Sequence, residues 1–341
     1  MDAAKLAAAL EAAGEKPYRL AQIKDAVYRQ LISDWDEATS LSAALRTELK
    51  ARVPILSLEE TNRAASSRGD TTKIAFKLAD GNIIETVLMQ HYGDRNTVCV
   101  SSQAGCPMRC AFCATGTMGL KRNLTAEEMV DQTLHFARLL KAKGERVTNM
   151  VLMGMGEPMH NYDNVMAAIR ILNDQKGLAL GARHISVSTC GIVPGILRMT
   201  EEKLQVNLAI SLHAPNDALR TRLMPVNLAY PLAKLMPAVE AYVAKTNRKV
   251  MFEYLLIDGL NDTPEVAEEL ATIMRHPLYH VNLIKYHTTG AFVSSSRERR
   301  TAFMDMLMKR GVSVTHRITF GEDIDAACGQ LANKHLKRTA A

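Results

Sequence analysis

Cys106-Pro107-Met108-Arg109-Cys110-Ala111-Phe112-Cys113 is the stretch on which the reading of this chain turns. Its spacing is C-x3-C-x2-C. Three thiolates this close can hold an iron–sulfur cluster, yet a cubane of four irons normally takes four. The missing ligand leaves one iron open to bind a substrate or cofactor, as an open position does at any catalytic metal. A zinc site would want a fourth Cys or His nearby, and the loop offers none. A disulfide framework would need an oxidising compartment. The cluster reading is favoured over both.

The surrounding chain is that of an ordinary globular protein. Its 341 residues are 47% hydrophobic, which excludes a disordered chain and suffices for a large core. No transmembrane run is present. Met1-Asp2-Ala3-Ala4-Lys5 opens with an acid and reads as an amphipathic helix, without the basic region and apolar stretch of a signal peptide. The six cysteines are therefore expected to stay reduced in a cytoplasm, where cysteine clusters bind metals or do chemistry. The net charge of +6 is compatible with a nucleic-acid partner. Basic residues group at Lys121-Arg122, at Arg297 with Arg299-Arg300, and at Lys334 with Lys337-Arg338. Each group alone is more often a solvated face than a phosphate contact. Aromatics are only 5%, so composition advertises no stacking platform for single-stranded RNA.

Outward from the cysteine loop, periodicity assigns the elements. Leu6, Leu10, Leu20, Ile23, Val27, Leu31, Leu41, Leu45 and Leu49 recur at helical spacing, so residues 1–66 are expected to form a small helical accessory domain. Thr72 to Leu78 and Ile83 to Met89 flank Asp80-Gly81, a hairpin signal, which makes 67–97 a β-hairpin connector. From Val98 the pattern alternates. Strands are expected at 98–101, 148–153, 184–189, 206–211, 249–256 and 281–286, with a seventh near 312–318. Helices are expected near 125–143, 161–175, 193–201, 231–245, 264–274 and 295–310. Thr125 and Glu128 form a capping box before the first. Six βα units imply an α/β fold with a parallel sheet under helices, either an open doubly wound sheet or an incomplete (β/α)6-type barrel.

The unusual residues favour the barrel, for they all close strands. The cysteine loop closes the first, Gly154-Met155-Gly156-Glu157-Pro158 the second, and Ser188-Thr189-Cys190-Gly191 the third. Ser211-Leu212-His213 closes the fourth and Tyr286-His287 the sixth. Strand C-terminal ends are where α/β enzymes place their active sites. Each residue also has a plain structural reading. Cys99 suits a buried core thiol, Cys328 and Cys190 structural thiols, His213 a satisfied histidine, and Glu157 a cap for the following turn. The Gly154-Met155-Gly156 run is weak on its own.

Taken together, the cysteine loop, Gly154 to Pro158, Ser211-Leu212-His213-Ala214-Pro215-Asn216 and Asp323-Ile324-Asp325-Ala326-Ala327-Cys328-Gly329-Gln330-Leu331-Ala332 resemble one family. It is the RlmN/Cfr family of radical S-adenosylmethionine (SAM) RNA methyltransferases. The resemblance covers nearly the whole chain, and the segment around Cys328 is its most specific part; the cysteine triplet alone would indicate only the radical SAM superfamily. It implies a radical SAM partial barrel at 98–320 and a C-terminal segment, 321–341, with the methyl-carrying cysteine and a basic tail. Cys106, Cys110 and Cys113 would ligate a 4Fe-4S cluster. Gly156, Glu157, Ser188, Ser211, Leu212 and His213 would bind SAM, Glu157 accepting from its amino group. His287 stands where the family usually has an Asn that contacts SAM, and imidazole can still make one hydrogen bond.

The resemblance also implies a mechanism. Adenine C2 and C8 are poor nucleophiles, so methylation there is delegated to a radical cofactor. One SAM methylates Cys328. A second is cleaved reductively, and the radical formed takes a hydrogen from that methyl group. The methylene radical adds to the adenine carbon. After loss of an electron and a proton, with Glu85 matching the family's proton acceptor, Cys99 attacks the Cys328 sulfur. The methylated base is freed and a disulfide remains, which an external thiol reduces. The implied substrates are large-subunit ribosomal RNA and, in the RlmN branch, transfer RNA, with the adenosine presented unstacked. C2 is favoured over C8, the regiochemistry of the resistance branch. An electron donor, a thiol reductant and a monomeric state are expected, without membrane attachment. A reading from another class is a zinc-stabilised RNA-binding protein without catalysis, which would be indifferent to Cys99 and Cys328.

Overall fold

The computed structural model describes residue 1 and residues 3–332, so the basic tail with Lys334, Lys337 and Arg338 lies outside the described residues. The chain opens with α1 (Ala3–Ala12), α2 (Tyr18–Lys24) and α3 (Ala43–Arg52). Of their periodic apolar residues Leu6, Ile23, Leu45 and Leu49 are buried, as is Trp35, while Leu20 is exposed. The Trp35 indole satisfies its one donor on the Val53 carbonyl at 2.6 Å.

A strand, β1 (Glu59–Ala65), already begins inside the stretch expected to be helical. Its sequence Glu-Glu-Thr-Asn-Arg-Ala-Ala leaves it mostly exposed, so it shows no apolar alternation. Backbone pairing to β2 (Thr71–Lys77) defines it, and periodicity cannot report that. β2 and β3 (Ile83–His91) form the hairpin around Gly81, whose φ of +82° suits a residue without Cβ. β4 (Arg95–Cys99) adds antiparallel to β3, with Cys99 opposite Val87. A separate ribbon of β5 (Gln103–Gly105) and β6 (Leu120–Asn123) brackets the cysteine loop, which holds the short α4 (Ala114–Thr117).

Beyond the loop the expected alternation appears. It runs α5 (Ala126–Lys141), β7 (Asn149–Leu152), α6 (Tyr162–Asn173), β8 (Ile185–Thr189), α7 (Val193–Thr200) and β9 (Asn207–Ser211). It continues through α8 (Asp217–Leu223), α9 (Leu232–Thr246), β10 (Val250–Leu256), α10 (Pro264–Ile273), β11 (Tyr279–Lys285), α11 (Arg297–Lys309) and β12 (Val314–His316). The Thr125–Glu128 capping box starts α5 as read. The short α8 and the β5–β6 ribbon were not foreseen.

One ten-stranded mixed sheet results, in the order β1-β2-β3-β4-β7-β8-β9-β10-β11-β12, parallel from β4 onward. Spatial order follows chain order throughout. A doubly wound sheet would reverse direction at a switch point; this one winds one way, as a partial barrel. Among the described residues no pairing joins β12 to β1. The segment after β12 crosses that gap instead. On one side Lys285 reaches Glu322 at 2.6 Å; on the other Arg68 donates to the Thr319 carbonyl at 3.1 Å and Lys73 to the Asp325 carbonyl at 3.0 Å. The His91 ring meets Phe320 edge-on at 4.5 Å. Among the described residues no helix is long and apolar enough to cross a membrane.

Candidate active site

The strand ends open into one cavity. Cys106, Cys110 and Cys113 line it, and so do Cys99 and Cys328, which the chain keeps more than 200 positions apart. Gly156, Glu157, Ser188, Ser211, His213 and His287 line it as well. Burial pushes the Cys106 thiol up to about 12. Cys110 rises well above its ordinary value, first through burial and then through the neighbouring Cys113 and Cys106 sulfurs. Burial raises Cys113 too. Three sulfurs that disfavour one another's ionisation form an electron-rich set that cationic iron would relieve. Among the described residues no three Cys, His, Asp or Glu side chains converge on a single metal ion. A cubane does not require that, because each thiolate binds its own iron, so the donor set fits the cluster and not zinc.

The close of β7 depends on glycine. Gly156 has φ +107°, and a Cβ there would lie 2.7 Å from the Gln103 nitrogen; one on Gly154 would lie 2.8 Å from the Val100 carbonyl oxygen. This packing delivers Glu157 to the cavity wall, with its N–H donating to Gln103 Oε1 at 2.8 Å. Both carboxylate oxygens accept from backbone. Oε1 takes Met159 N–H at 2.9 Å and Oε2 takes Cys190 N–H at 2.8 Å, which ties the ends of β7 and β8 together. The capping role is therefore present. Each oxygen keeps acceptor capacity for a ligand.

Ser188 and Ser211 face each other across the sheet, hydroxyls 3.5 Å apart. The Leu212 side chain, between Ser211 and His213 along the chain, is fully buried, and strand alternation turns it into the core, leaving its backbone at the strand end. His213 adopts a left-handed backbone, φ +59°, which returns its ring to the wall. Its Nδ1 accepts from Leu255 N–H at 3.1 Å, so the neutral ring carries its proton on Nε2. Burial, with help from the Arg220 charge, holds His213 down at about 3. His287 lies on the wall with Nε2 3.4 Å from Thr319 Oγ1 and Nδ1 3.3 Å from Glu322 Oε1. The gap-crossing segment thus occupies part of its hydrogen-bonding capacity.

Cys328 is exposed, but its neighbours are fixed. Ala114 N–H donates to the Gly329 carbonyl at 2.8 Å, and Thr115 Oγ1 donates to the Leu331 carbonyl at 2.6 Å. The segment is thereby pinned to the residues that follow Cys113. Cys99 is buried as its strand context suggests, and burial followed by the nearby Cys328 pushes its thiol up to about 12. Cys190, read as structural, also lines the cavity. Glu85, matched by the resemblance to a proton acceptor, is not among the residues that line the cavity. Its side chain is held behind the wall, where Oε2 accepts Ala332 N–H at 2.8 Å and Oε1 lies 3.2 Å from Lys73 Nζ.

Sequence reasoning missed Arg317. It lines the cavity with Cys99 and Cys328, 3.4 Å from Glu253 Oε2 and 3.3 Å from the Met153 sulfur. The charge of Cys328, then that of Glu253, raises its pKa further. The available signal was its position directly after a strand end. Phe112 was also missed; its ring packs edge-on against His213 at 4.8 Å.

Known proteins are similar to this chain in sequence and fold. Residues 100–271 match the radical SAM superfamily, and residues 1–55 match the ribosomal RNA large subunit methyltransferase N-terminal domain. The chain is 47% identical over 326 residues to a protein of Thermoanaerobacter sp. (strain X514) named "Probable dual-specificity RNA methyltransferase RlmN", covering 95% of this chain and 94% of that one. A protein of the same name from Bacillus velezensis is 48% identical over 324 residues, covering 94% and 88%. The crystal structure of a radical SAM methyltransferase from Sphaerobacter thermophilus superposes with a TM-score of 0.92 at 49% identity, over 97% of each chain.

Proposed function

Since the chain belongs to the RlmN family of radical SAM RNA methyltransferases, we propose that it methylates an adenosine at C2, in large-subunit ribosomal RNA and in transfer RNA. It is a SAM-dependent RNA methyltransferase whose family uses a 4Fe-4S cluster and SAM. Cys106, Cys110 and Cys113 would hold the cluster. Gly156, Glu157, Ser188, Ser211 and His213 line the adjoining wall and would hold SAM, with His287 a further contact. When bound, the pair supplies the one-electron chemistry that a poorly nucleophilic ring carbon requires.

The remaining roles belong to the chain. Cys328 accepts a methyl group from SAM on its sulfur and presents it inside the cavity. Once that carbon is joined to the adenine ring, Cys99 attacks the sulfur: the sulfur–carbon bond breaks, its electron pair stays with the methylated base, which takes up a proton, and a Cys99–Cys328 disulfide remains. A small thiol or dithiol protein must reduce this bond before the next turnover, which suits a cytoplasm. Glu85 acts at one remove by holding the Ala332 amide, and so the segment that bears Cys328. The N-terminal helices and the basic groups along the chain supply phosphate contacts, whose contribution is salt-dependent.

One observation carries the reading: Cys328 shares a cavity with Cys99, on a segment hydrogen-bonded to Ala114 and Thr115 directly beyond Cys113. A zinc-stabilised RNA binder has no use for that meeting. The test is nucleoside mass spectrometry of ribosomal and transfer RNA from cells with and without the gene, in a background lacking related enzymes. A gain of 2-methyladenosine supports the proposal. A gain of 8-methyladenosine keeps the chemistry and moves the site of attack. Absence of both products would refute it.

A further inference from the structure

Arg220, on α8, is fully buried. Its guanidinium hydrogen bonds all go to neutral oxygens: Nη1 to Asn227 Oδ1 at 2.7 Å and to the Tyr230 carbonyl at 3.3 Å, and Nη2 to the Cys190 carbonyl at 2.7 Å. Its Nε has no hydrogen-bond partner among the described residues. The nearest acid in sequence, Asp217, is taken up by Asn227 Nδ2 at 3.0 Å and Leu232 N–H at 2.9 Å, and reaches Arg220 through Asn227. A buried cation without a carboxylate against it is costly and persists where something else compensates it.

The geometry shows where the compensation comes from. The helix bearing Arg220 docks on the cysteine loop, since Ala111 N–H, between Cys110 and Cys113, donates to the Leu223 carbonyl at 2.9 Å. Leu223 lies one turn beyond Arg220 on the same helix. The strand end facing the guanidinium is shaped around it: Gly191 has φ +103°, and a Cβ there would lie 3.0 Å from Nη2. Its charge acts on the Cys190 and Cys110 sulfurs, on the Asp217 carboxylate and on His213.

We infer that Arg220 is a fixed positive charge set against the iron–sulfur cluster, and that it raises the cluster's reduction potential. The inference rests on the assignment of the cluster to Cys106, Cys110 and Cys113. A four-iron core in its resting state carries two positive charges and its three thiolates three negative ones, so the site is singly negative. Taking one electron from a low-potential donor makes it doubly negative, with no proton or bond exchanged. A cation held in a region of low dielectric stabilises the second state more than the first. The guanidinium suits this task because it does not lose its proton in proteins. Arg220 tunes the cluster and touches neither SAM nor RNA.

The test is a redox titration of the reconstituted full-length protein, read by electron paramagnetic resonance with dithionite as the reductant. Arg220→Met should lower the reduced-to-oxidised ratio at a fixed potential about tenfold, a shift of about 59 mV for one electron. Arg220→Lys, which keeps the charge and loses the fork of hydrogen bonds, should stay within about threefold of the parent. If Arg220→Met fails to hold iron, Arg220→Gln is read in its place with the same expected direction. An unchanged potential in the neutral variant overturns the inference, as does an equal fall in Arg220→Lys, which would mark a purely structural role. Iron content reports on the cluster assignment separately. Should a Cys106/Cys110/Cys113→Ala triple variant retain the parent's iron, that assignment fails, and the inference with it.

Discussion

Glu157→Gln tests whether Glu157 is a structural tie as well as a wall of the cofactor cavity. The parent carboxylate is buried and accepts two backbone N–H groups, from Met159 at 2.9 Å and Cys190 at 2.8 Å. A hydrogen bond to a charged group contributes about 1.5–3 kcal/mol, a neutral one about 0.5–1.5 kcal/mol. Glutamine has one acceptor oxygen. One of the two bonds becomes neutral, and the other is replaced by an NH2 group facing an N–H. Part of this loss is offset because a neutral amide costs less to bury than a carboxylate. The balance is a destabilisation of about 2 kcal/mol. For a denaturant slope near 3 kcal/mol per molar, the urea midpoint should fall by about 0.7 M at unchanged slope. The assay is equilibrium urea unfolding of parent and variant prepared together under reducing, oxygen-free conditions. SAM binding by the same preparations gives the second readout, and it should weaken too. A midpoint unchanged within about 0.2 M would refute the hydrogen-bond argument, since the two amides would then have other partners.

Three further outcomes are expected. Cys328→Ala should abolish methyl transfer while retaining the parent's iron content; full activity measured by nucleoside mass spectrometry would end the methyl-carrier role. Cys99→Ala should accumulate a covalent protein–RNA adduct visible by denaturing electrophoresis, because nothing remains to attack the Cys328 sulfur; an inactive variant without adduct removes Cys99 from its role. The third concerns pH. His213 is held at about 3 in the folded chain against an ordinary 6.5, so the unfolded chain binds the extra proton between those values. The stability this contributes is present above pH 6.5 and is lost as pH falls toward 3, by about 2 kcal/mol between pH 6.5 and 5. His213→Asn should flatten that part of the urea-midpoint profile, and an identical slope in the variant would contradict it.

Much of the architecture was legible because its signals are local. Thr125 and Glu128 sit three apart and cap α5. Asp80-Gly81 turns the hairpin, and the apolar periods of the barrel strands and helices report burial directly. β1 was missed because its defining interactions are backbone pairs on an exposed edge. The β5–β6 ribbon was missed because its strands have three and four residues and are joined across the cysteine loop. The surroundings of Glu85 were not legible for a related reason. Its position in the sequence shows that it lies on β3; which side of the wall its carboxylate occupies depends on Lys73 and Ala332, both contributed from elsewhere in the chain.

By itself the sequence determined the spacing of the three cysteines in their loop, the alternation of strands and helices, and the gathering of unusual residues at strand ends. These follow from spacing along the chain, which short-range sterics and periodic burial translate into structure. Only the tertiary structure decided that Cys99 and Cys328 share one cavity, that the second oxygen of Glu157 is taken by Cys190 N–H, and that Arg317 and Arg220 place charge around the sulfurs. Those facts depend on distances between groups remote in sequence. Such distances are set by how the sheet curves and where its gap-crossing segment lands, and no local pattern of residues encodes either.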